Sequence, residues 1–203
     1  MITRRATDQG VTFLDVETPL CTATLCLQGA HLTSWKPEGQ EECLFLSPNA
    51  VFAPGKAIRG GIPVCWPWFG PRKGEPSHGV ARTSEWRLHH QETDKRGNAL
   101  LSLAFYPEDE SSPAAILRLA LGRTLAMKLE TTARMQPCKL TEAFHNYFAV
   151  GNLTKCRVHG LDDVPFREEA AQPMKHGERP LAPLGCLDRV YDCPACSGKI
   201  VLE

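Results

Sequence analysis

Hydrophobic and polar residues alternate along much of this chain, in short runs that end at glycine, proline or polar turns. The runs VTFLDVE (11–17), TATLCLQ (22–28) and HLTSW (31–35) are typical of strands in antiparallel sheets with one buried face. Leu44 to Leu46 predicts another short strand, which ends at SPNA (47–50), and Phe52–Lys56 then leads into a loop rich in tryptophan. The first part of the chain is therefore predicted to consist of short strands.

A second group of alternating runs predicts a meander. Strands over Trp86–His90 and Leu100–Phe105 flank the polar turn QETDKRGN, and two more, LRLAL and LAMKLET, flank the turn Gly122–Arg123. The segment AILRLALGRTLAMKL is also rich in good helix formers, so a single amphipathic helix is the alternative. The period-two alternation and the central glycine favour strands.

The last part of the chain continues the same pattern. Further strands are predicted over Phe144–Val150, Cys156–Leu161, Leu184–Tyr191 and Lys199–Leu202, with a polar, proline-broken surface loop over 162–180. Many short strands without a long helix predict an all-β fold, an antiparallel β-sandwich formed by one domain, 1–203. The chain stops at Glu203 directly after a β-run, so we expect the sandwich to be incomplete at its C-terminus.

Charge and cysteine content limit the partners and the compartment. Lys plus Arg and Asp plus Glu both number 23, so no overall field favours nucleic acid or a membrane surface, and phosphate affinity must come from local cations. Nine cysteines at irregular spacings suit free thiols in a reducing compartment. Without an apolar targeting segment or a long apolar run, the sequence predicts a soluble cytoplasmic protein with a small-molecule partner.

The stretch Ala57–Trp86 concentrates the residues that suggest chemistry. It holds three of the four tryptophans, together with Arg59, His78 and Arg82 among glycines and prolines that forbid a helix over most of its length. Aromatic rings offer flat apolar faces and arginines offer planar donors. This composition indicates a shallow polar pocket for a sugar or a sugar phosphate.

The motifs IRGGIPVCWPWFGP (58–71) and SHGVARTSEW (77–86) resemble the signature of hexose-6-phosphate mutarotases, the glucose-6-phosphate 1-epimerase-like branch of the aldose 1-epimerase family. The resemblance continues through LQGAHLTSW (27–35), LFLSPNAVF (44–52), TEAFHNYFAVGNL (141–153) and DRVY (188–191). It implies a β-supersandwich of the galactose mutarotase type, with an open concave sugar site. It also implies acid/base ring opening of a hexose phosphate, without metal or cofactor.

The resemblance implies a role for individual residues. His145 matches the catalytic histidine that protonates the ring oxygen, although from the residues alone it reads as a hydrogen-bonded core histidine. His78 matches a binding or orienting group, and the alternative for it is a histidine that caps a turn. Arg59 and Arg82 match the contacts to the 6-phosphate, and for each arginine taken singly the alternative is a solvated surface charge.

The resemblance implies two further substrate-binding positions. Ser77 stands where relatives often carry a substrate-binding glutamine, which puts that contact in doubt because a hydroxyl reaches less far. Asp188 matches the aspartate that accepts hydrogen bonds from sugar hydroxyls. The alternative for Asp188 is a surface ion pair with Arg189.

The general base of the family is a glutamate downstream of DRVY, and no residue of this chain matches its motif; the terminal Glu203 is not a candidate. We therefore expect a hexose-6-phosphate 1-epimerase that is weak or inactive over these residues. The alternative is a non-catalytic sugar-phosphate-binding protein. A zinc or redox module at Cys193 and Cys196 is a weaker reading, because a zinc site needs two more ligands and only Cys186 and His176 lie near.

Overall fold

The computed structural model describes residues 1–161, 164–168, 175, 181–183, 187–192 and 199–203. They form two compact units, Met1–Ala149 and Val150–Glu203. Within the described ranges, no helix is long and apolar enough to cross a membrane. The described secondary structure is almost entirely antiparallel β, as the alternating runs predict.

The first sheet contains four strands in sequence order. They are β1 (Ile2–Ala6), β2 (Thr12–Glu17), β3 (Cys21–Cys26) and β4 (His31–Pro37). Three of them follow predicted runs, and their alternate side chains, such as Leu14, Val16 and Leu25, are buried. Strand β1 was not predicted, because four of its five residues are exposed and its sequence does not alternate between hydrophobic and polar residues.

The second sheet is the predicted meander, also of four strands in sequence order. It contains β6 (Arg87–Thr93), β7 (Ala99–Phe105), β8 (Ala114–Leu121) and β9 (Leu125–Thr132). Strands β8 and β9 pair over their whole length, from Ala114 opposite Thr132 to Leu121 opposite Leu125. The alternative of one amphipathic helix is therefore wrong, because the Gly122–Arg123 segment turns the chain back on itself.

The two sheets share one hydrophobic core. Leu14 and Leu25 from the first sheet and Leu103 and Leu117 from the second are each at most 1% exposed. Two aromatic side chains extend this core toward the tryptophan-rich stretch: Trp66 and Trp86 are fully buried, and both rings contact Phe105. The fold of the first unit therefore anchors the stretch at its two buried tryptophans.

The remaining elements of the first unit are short. Strand β5 (Val64–Cys65) pairs with β10 (Ala143–Phe144), and a 3₁₀ turn covers Ala81–Thr83. The strand predicted over Phe144–Val150 is wrong beyond Phe144. The backbone after Phe144 bonds in turn to the carbonyls of Pro63, Gly61 and Cys43, so it does not follow one partner strand.

The second unit contains two small pairs of strands. Strand β11 (Val158–His159) pairs with β14 (Val201–Leu202), and β12 (Phe166–Arg167) pairs with β13 (Val190–Tyr191). The surface loop predicted over 162–180 is wrong at Phe166, which is 3% exposed because its ring packs against Tyr191 and under the Arg189 guanidinium.

Candidate active site

A pocket of about 340 Å³ in the first unit brings together four of the predicted site residues. Its lining comes from two separate parts of the chain: Ala57, Ile58, Arg59, Pro63, Cys65, His78 and Arg82 from the tryptophan-rich stretch, and His145 and Tyr147 from the segment after β10. Residues up to 90 positions apart in the sequence, from Ala57 to Tyr147, thus meet in one cavity. Pairing of β5 with β10 is the local cause, because it joins the two segments by backbone hydrogen bonds.

His145 is half-buried and is held mainly by its backbone. Its N–H donates to the Pro63 carbonyl at 3.0 Å, directly after the β5–β10 pair. Its ring stacks on Tyr147, with centroids 4.9 Å apart and planes inclined by 28°. The Nδ1 atom is buried and has no hydrogen-bond partner among the described residues. His145 is therefore fixed in position while part of its hydrogen-bonding capacity is unused.

His78 faces His145 across the pocket, with ring centroids 6.0 Å apart. Its backbone is left-handed, with φ of 64°, and its Nδ1 accepts a hydrogen bond from the Gly70 N–H at 3.1 Å. This contact agrees with an orienting role and equally with the turn-capping alternative. Burial lowers the pKa of His78, and the positive charge of Arg82 and the neighbouring His145 lower it further.

The glycine after His78 allows this turn to pack closely. Gly79 has φ of 76°, and a Cβ on it would lie 2.0 Å from the Trp66 carbonyl oxygen. The N–H groups of Val80 and Ala81 donate to that same carbonyl. The turn that carries His78 is therefore tied to the backbone of the buried Trp66.

The two arginines line the same pocket but differ in exposure. Arg59 is exposed, and its carbonyl accepts a hydrogen bond from the Ser47 N–H at 3.1 Å. Arg82 is half-buried: one terminal nitrogen, Nη2, donates to the Ser77 carbonyl at 2.7 Å. The buried Nε of Arg82 has no partner among the described residues. Both guanidinium groups thus retain donors for an anion.

Two predicted residues lie elsewhere. Ser77 is exposed and, in the described part of the chain, is not among the lining residues; it contributes a carbonyl to Arg82. Asp188 belongs to the second unit and is exposed, so its role stays a prediction. The ion pair of Arg189 is with Glu168, at 3.4 Å. Glu203, also in the second unit, has its carboxylate 3.3 Å from the His159 Nε2.

The four residues considered for a zinc or redox module lie outside the described residues: Cys186, Cys193, Cys196 and His176. Within the described ranges, no group of three or more His, Cys, Asp and Glu residues is arranged to hold a metal ion.

Tyr147 is a pocket residue that the sequence reasoning did not single out. It lies two residues after His145, and in an extended segment such residues share a face. Period-two spacing from His145 was therefore a signal for it. Cys65 was also missed; it is buried, and burial raises the pKa of its thiol, while the charge of Arg82 acts in the opposite direction.

The chemistry available in this pocket is cationic and proton-donating. Guanidinium groups stay charged and match the planar arrangement of phosphate oxygens, and a histidine can give or take a proton near neutral pH. All the lining residues belong to the described part of the chain, and none of them is a carboxylate. The pocket therefore suits an anionic ligand with an oxygen atom that has to be protonated.

Comparison with known sequences agrees with these features. The Aldose 1-epimerase family profile matches residues 14–192. A protein of Escherichia coli (strain K12) named "Putative glucose-6-phosphate 1-epimerase" is 41% identical over 175 residues, which cover 80% of this chain and 56% of the relative. A protein of the same name from Salmonella typhimurium (strain LT2) is 39% identical over 173 residues, again covering 80% and 56%.

The fold is shared with a solved structure. The crystal structure of a "putative mutarotase" from Salmonella typhimurium has a TM-score of 0.77 and 34% identity, and the match covers 94% of this chain and 63% of that protein. The predicted all-β supersandwich of the galactose mutarotase type is thereby confirmed. This chain spans 56% of the length of the two curated relatives. Its match to the family profile over most of its length shows that the chain belongs to the aldose 1-epimerase family.

Proposed function

We propose that this protein is a hexose-6-phosphate 1-epimerase, an isomerase that interconverts the α and β anomers of sugars such as glucose 6-phosphate. The observation that carries the proposal is the meeting of Arg59, Arg82, His78 and His145 in one pocket. The names of the Escherichia coli and Salmonella typhimurium relatives support the same substrate class.

In this proposal Arg59 and Arg82 bind the phosphate group. Each guanidinium presents planar donors, and the unpartnered Nε of Arg82 is available to a phosphate oxygen. The hydrogen bond from Arg82 to the Ser77 carbonyl keeps this side chain in the pocket. Asp188 would accept hydrogen bonds from sugar hydroxyls, as the family resemblance implies. Ser77 would contact the substrate from the position at which relatives often carry a glutamine.

In the proposed reaction His145 donates a proton to the ring oxygen as a base removes the proton from the anomeric hydroxyl. The bond between the anomeric carbon and the ring oxygen then breaks, and the anomeric carbon becomes an aldehyde. Rotation about the next carbon–carbon bond and closure with the proton transfers reversed give the other anomer. His78 lies across the pocket from His145 and would orient the substrate.

The second candidate function is binding of a sugar phosphate without turnover. It is favoured by one observation, the lack of a carboxylate among the described lining residues. The two candidates share the ligand and differ in catalysis. Anomer exchange therefore separates them, whereas binding does not.

The proposal includes a compartment and a partner. We assign the protein to the cytoplasm, with a hexose phosphate as its partner and no nucleic acid or membrane. The state of the cysteines supports this: the described ones, Cys21, Cys26, Cys43, Cys65, Cys138 and Cys156, are free thiols. Free thiols are typical of a reducing compartment.

Calorimetric titration with glucose 6-phosphate and with glucose tests the binding step. Charge-assisted hydrogen bonds contribute about 1.5 to 3 kcal/mol each, so Arg82→Ala should weaken glucose 6-phosphate binding by roughly tenfold or more. Glucose binding should be nearly unchanged. The matched control is Arg118→Ala. It removes an arginine of β8 that pairs with Glu130 of β9 and does not line the pocket of Arg82.

Equal losses for both ligands in Arg82→Ala would show that Arg82 supports the loop through the Ser77 carbonyl and does not bind phosphate. A wild-type chain that binds glucose 6-phosphate no better than glucose would overturn the proposed substrate class.

Exchange spectroscopy on glucose 6-phosphate tests catalysis. A positioned acid or base contributes about 10²- to 10⁴-fold, and the described pocket lining supplies a candidate acid but no carboxylate base. The chain should therefore exchange anomers far more slowly than the Escherichia coli relative at equal concentration. Any rate above the spontaneous one should be lost in His145→Ala. His89→Ala, which removes an exposed histidine on β6, should leave it unchanged.

Activity equal to that of the relative would mean that a carboxylate of this chain serves as the base. Residual activity that survives in His145→Ala would remove His145 from its role, and exchange at the spontaneous rate with intact binding would favour the non-catalytic candidate.

A further inference from the structure

His31 is a fully buried histidine that the proposed reaction does not use. It is the first residue of β4 and is 0% exposed. Its Nε2 lies 2.7 Å from the Gly60 carbonyl oxygen, whereas its Nδ1 is buried and has no partner among the described residues. A carbonyl can only accept a hydrogen bond, so Nε2 carries the proton and donates. Burying the other nitrogen without a partner costs stability, and an apolar residue would avoid that cost.

The Gly60 carbonyl, to which His31 bonds, lies in a backbone segment that connects to Arg59 and to His145, two residues of the pocket lining. Gly60 follows Arg59, and the next residue, Gly61, has its carbonyl bonded to the Tyr147 N–H at 2.9 Å. Two residues later, the Pro63 carbonyl accepts from the His145 N–H. One short run of backbone thus carries Arg59 at one end and holds the segment of His145 at the other.

This run of backbone is left-handed at both glycines, with φ of 107° at Gly60 and 63° at Gly61. The imidazole of His31 also fills the space beside it, since a Cβ on Gly61 would lie 2.9 Å from the His31 Nε2 and 2.3 Å from the Leu32 carbonyl oxygen. The glycines allow this backbone course, and the His31 side chain holds the carbonyl within it.

The turn that precedes His31 packs under the second arginine. Gly29 donates its N–H to the Ser84 carbonyl at 2.7 Å, and a Cβ on Gly29 would lie 2.7 Å from the Arg82 carbonyl oxygen. The three-residue path from Gly29 to His31 is therefore in contact with the backbone of Arg82 at its start and with the residue after Arg59 at its end.

We propose that His31 is a positioning residue of the pocket. Its Nε2–H bond to the Gly60 carbonyl holds Arg59 and the His145 segment in the relative positions that binding of a hexose phosphate requires. It acts through Gly60 and does not contact the ligand. The ligand part of this inference rests on the proposed function, whereas the backbone part does not.

The test compares His31→Leu, which removes the donor, with His31→Gln, whose neutral amide can donate to the same carbonyl. The readout that does not depend on a ligand is amide hydrogen exchange at Gly61, His145 and Tyr147. We expect it to be about tenfold faster in His31→Leu, since one hydrogen bond is lost, and near wild type in His31→Gln. Exchange in the core strands, at Leu103 and Leu117, should be the same in all three proteins.

The second readout is calorimetric affinity for glucose 6-phosphate, expected to fall about tenfold in His31→Leu and to recover in His31→Gln. Unchanged exchange at Gly61, His145 and Tyr147 in His31→Leu overturns the inference, as does faster exchange throughout the core. If the wild type does not bind glucose 6-phosphate, the proposed function fails while the exchange result still decides the role of His31. If His31→Leu does not fold, His31→Asn replaces it, and the same local increase in exchange is expected because the shorter amide reaches less far.

Discussion

The buried imidazole of His31 makes the stability of the fold depend on pH in a defined window. Burial, the largest cause, lowers the pKa of His31 to about 4; the hydrogen bond to Gly60 acts in the opposite direction, and the charge of Arg82 lowers it further. In the unfolded chain a histidine has a pKa of about 6.5. The unfolded state therefore takes up the proton first, and stability falls as pH falls below about 6.5, flattening below about 4.

The size of the effect follows from these two values. The difference between the unfolded-state pKa of about 6.5 and the folded-state pKa of about 4 corresponds to roughly 3 kcal/mol of folding stability. About 2 kcal/mol of this is lost by pH 5. For a chain of this length, 1 kcal/mol corresponds to about 2–4 °C in Tm. We therefore expect His31 to account for a decrease of about 4–8 °C in Tm between pH 7.5 and pH 5.

The assay is thermal unfolding of the wild type and His31→Gln at both pH values. Glutamine does not titrate, so the variant should lack most of this decrease. His78, whose pKa is also lowered, is present in both proteins and cancels in the comparison. Asp15, whose pKa is lowered by its bond to Arg5, affects stability only at lower pH, as the carboxylate becomes protonated. Equal decreases in Tm for the two proteins would refute the reasoning about His31.

Two further predictions concern the turn at Gly79 and the edge of the second sheet. Gly79→Ala places a Cβ 2.0 Å from the Trp66 carbonyl oxygen at a φ of 76°, so thermal unfolding should show a loss well beyond the roughly 1–2 kcal/mol that a left-handed alanine costs. Gly74→Ala, at a φ of 79° with nothing within 4 Å, is the matched control and should cost only that amount; equal losses would contradict the packing argument. Strand β9 pairs with β8 on one side and, among the described strands, with none on the other, so sedimentation should show concentration-dependent association that Ala126→Lys reduces. A monodisperse monomer at high concentration would contradict this.

The alternation of side chains predicted the meander because each of its strands has a fixed neighbour. From Ala114 to Thr132 the period-two pattern, the glycine turn and the pairing all agree. The segment from Phe144 to Val150 has a similar pattern, but its backbone bonds pass from Pro63 to Gly61 and then to Cys43. The change of partner is a tertiary feature, and the local sequence carries no trace of it.

The site could be predicted in part because some of its residues lie in one stretch of unusual local composition. Arg59, His78 and Arg82 stand in a stretch whose glycines, prolines and aromatic residues indicate a pocket, and the structure gathers them with His145. His31 gave no such signal, since its partner Gly60 lies 29 positions away and the interaction uses a backbone carbonyl. A buried histidine is identified as a support only once its hydrogen bond is known.

Under the proposed function, binding and turnover place different demands on this pocket. Holding a phosphate requires fixed cations, and both arginines belong to the same compact unit as the two histidines. Turnover also requires a base on the opposite side of the anomeric centre, and a carboxylate in contact with the arginines would form an ion pair with them and reduce their attraction for phosphate. A lining that is cationic around the phosphate therefore favours a base supplied from a different segment of the protein. Binding by this unit and the rate of anomer exchange are then separable properties, and substitutions in the Arg59–Arg82 stretch should alter affinity before they alter the proton transfer at His145.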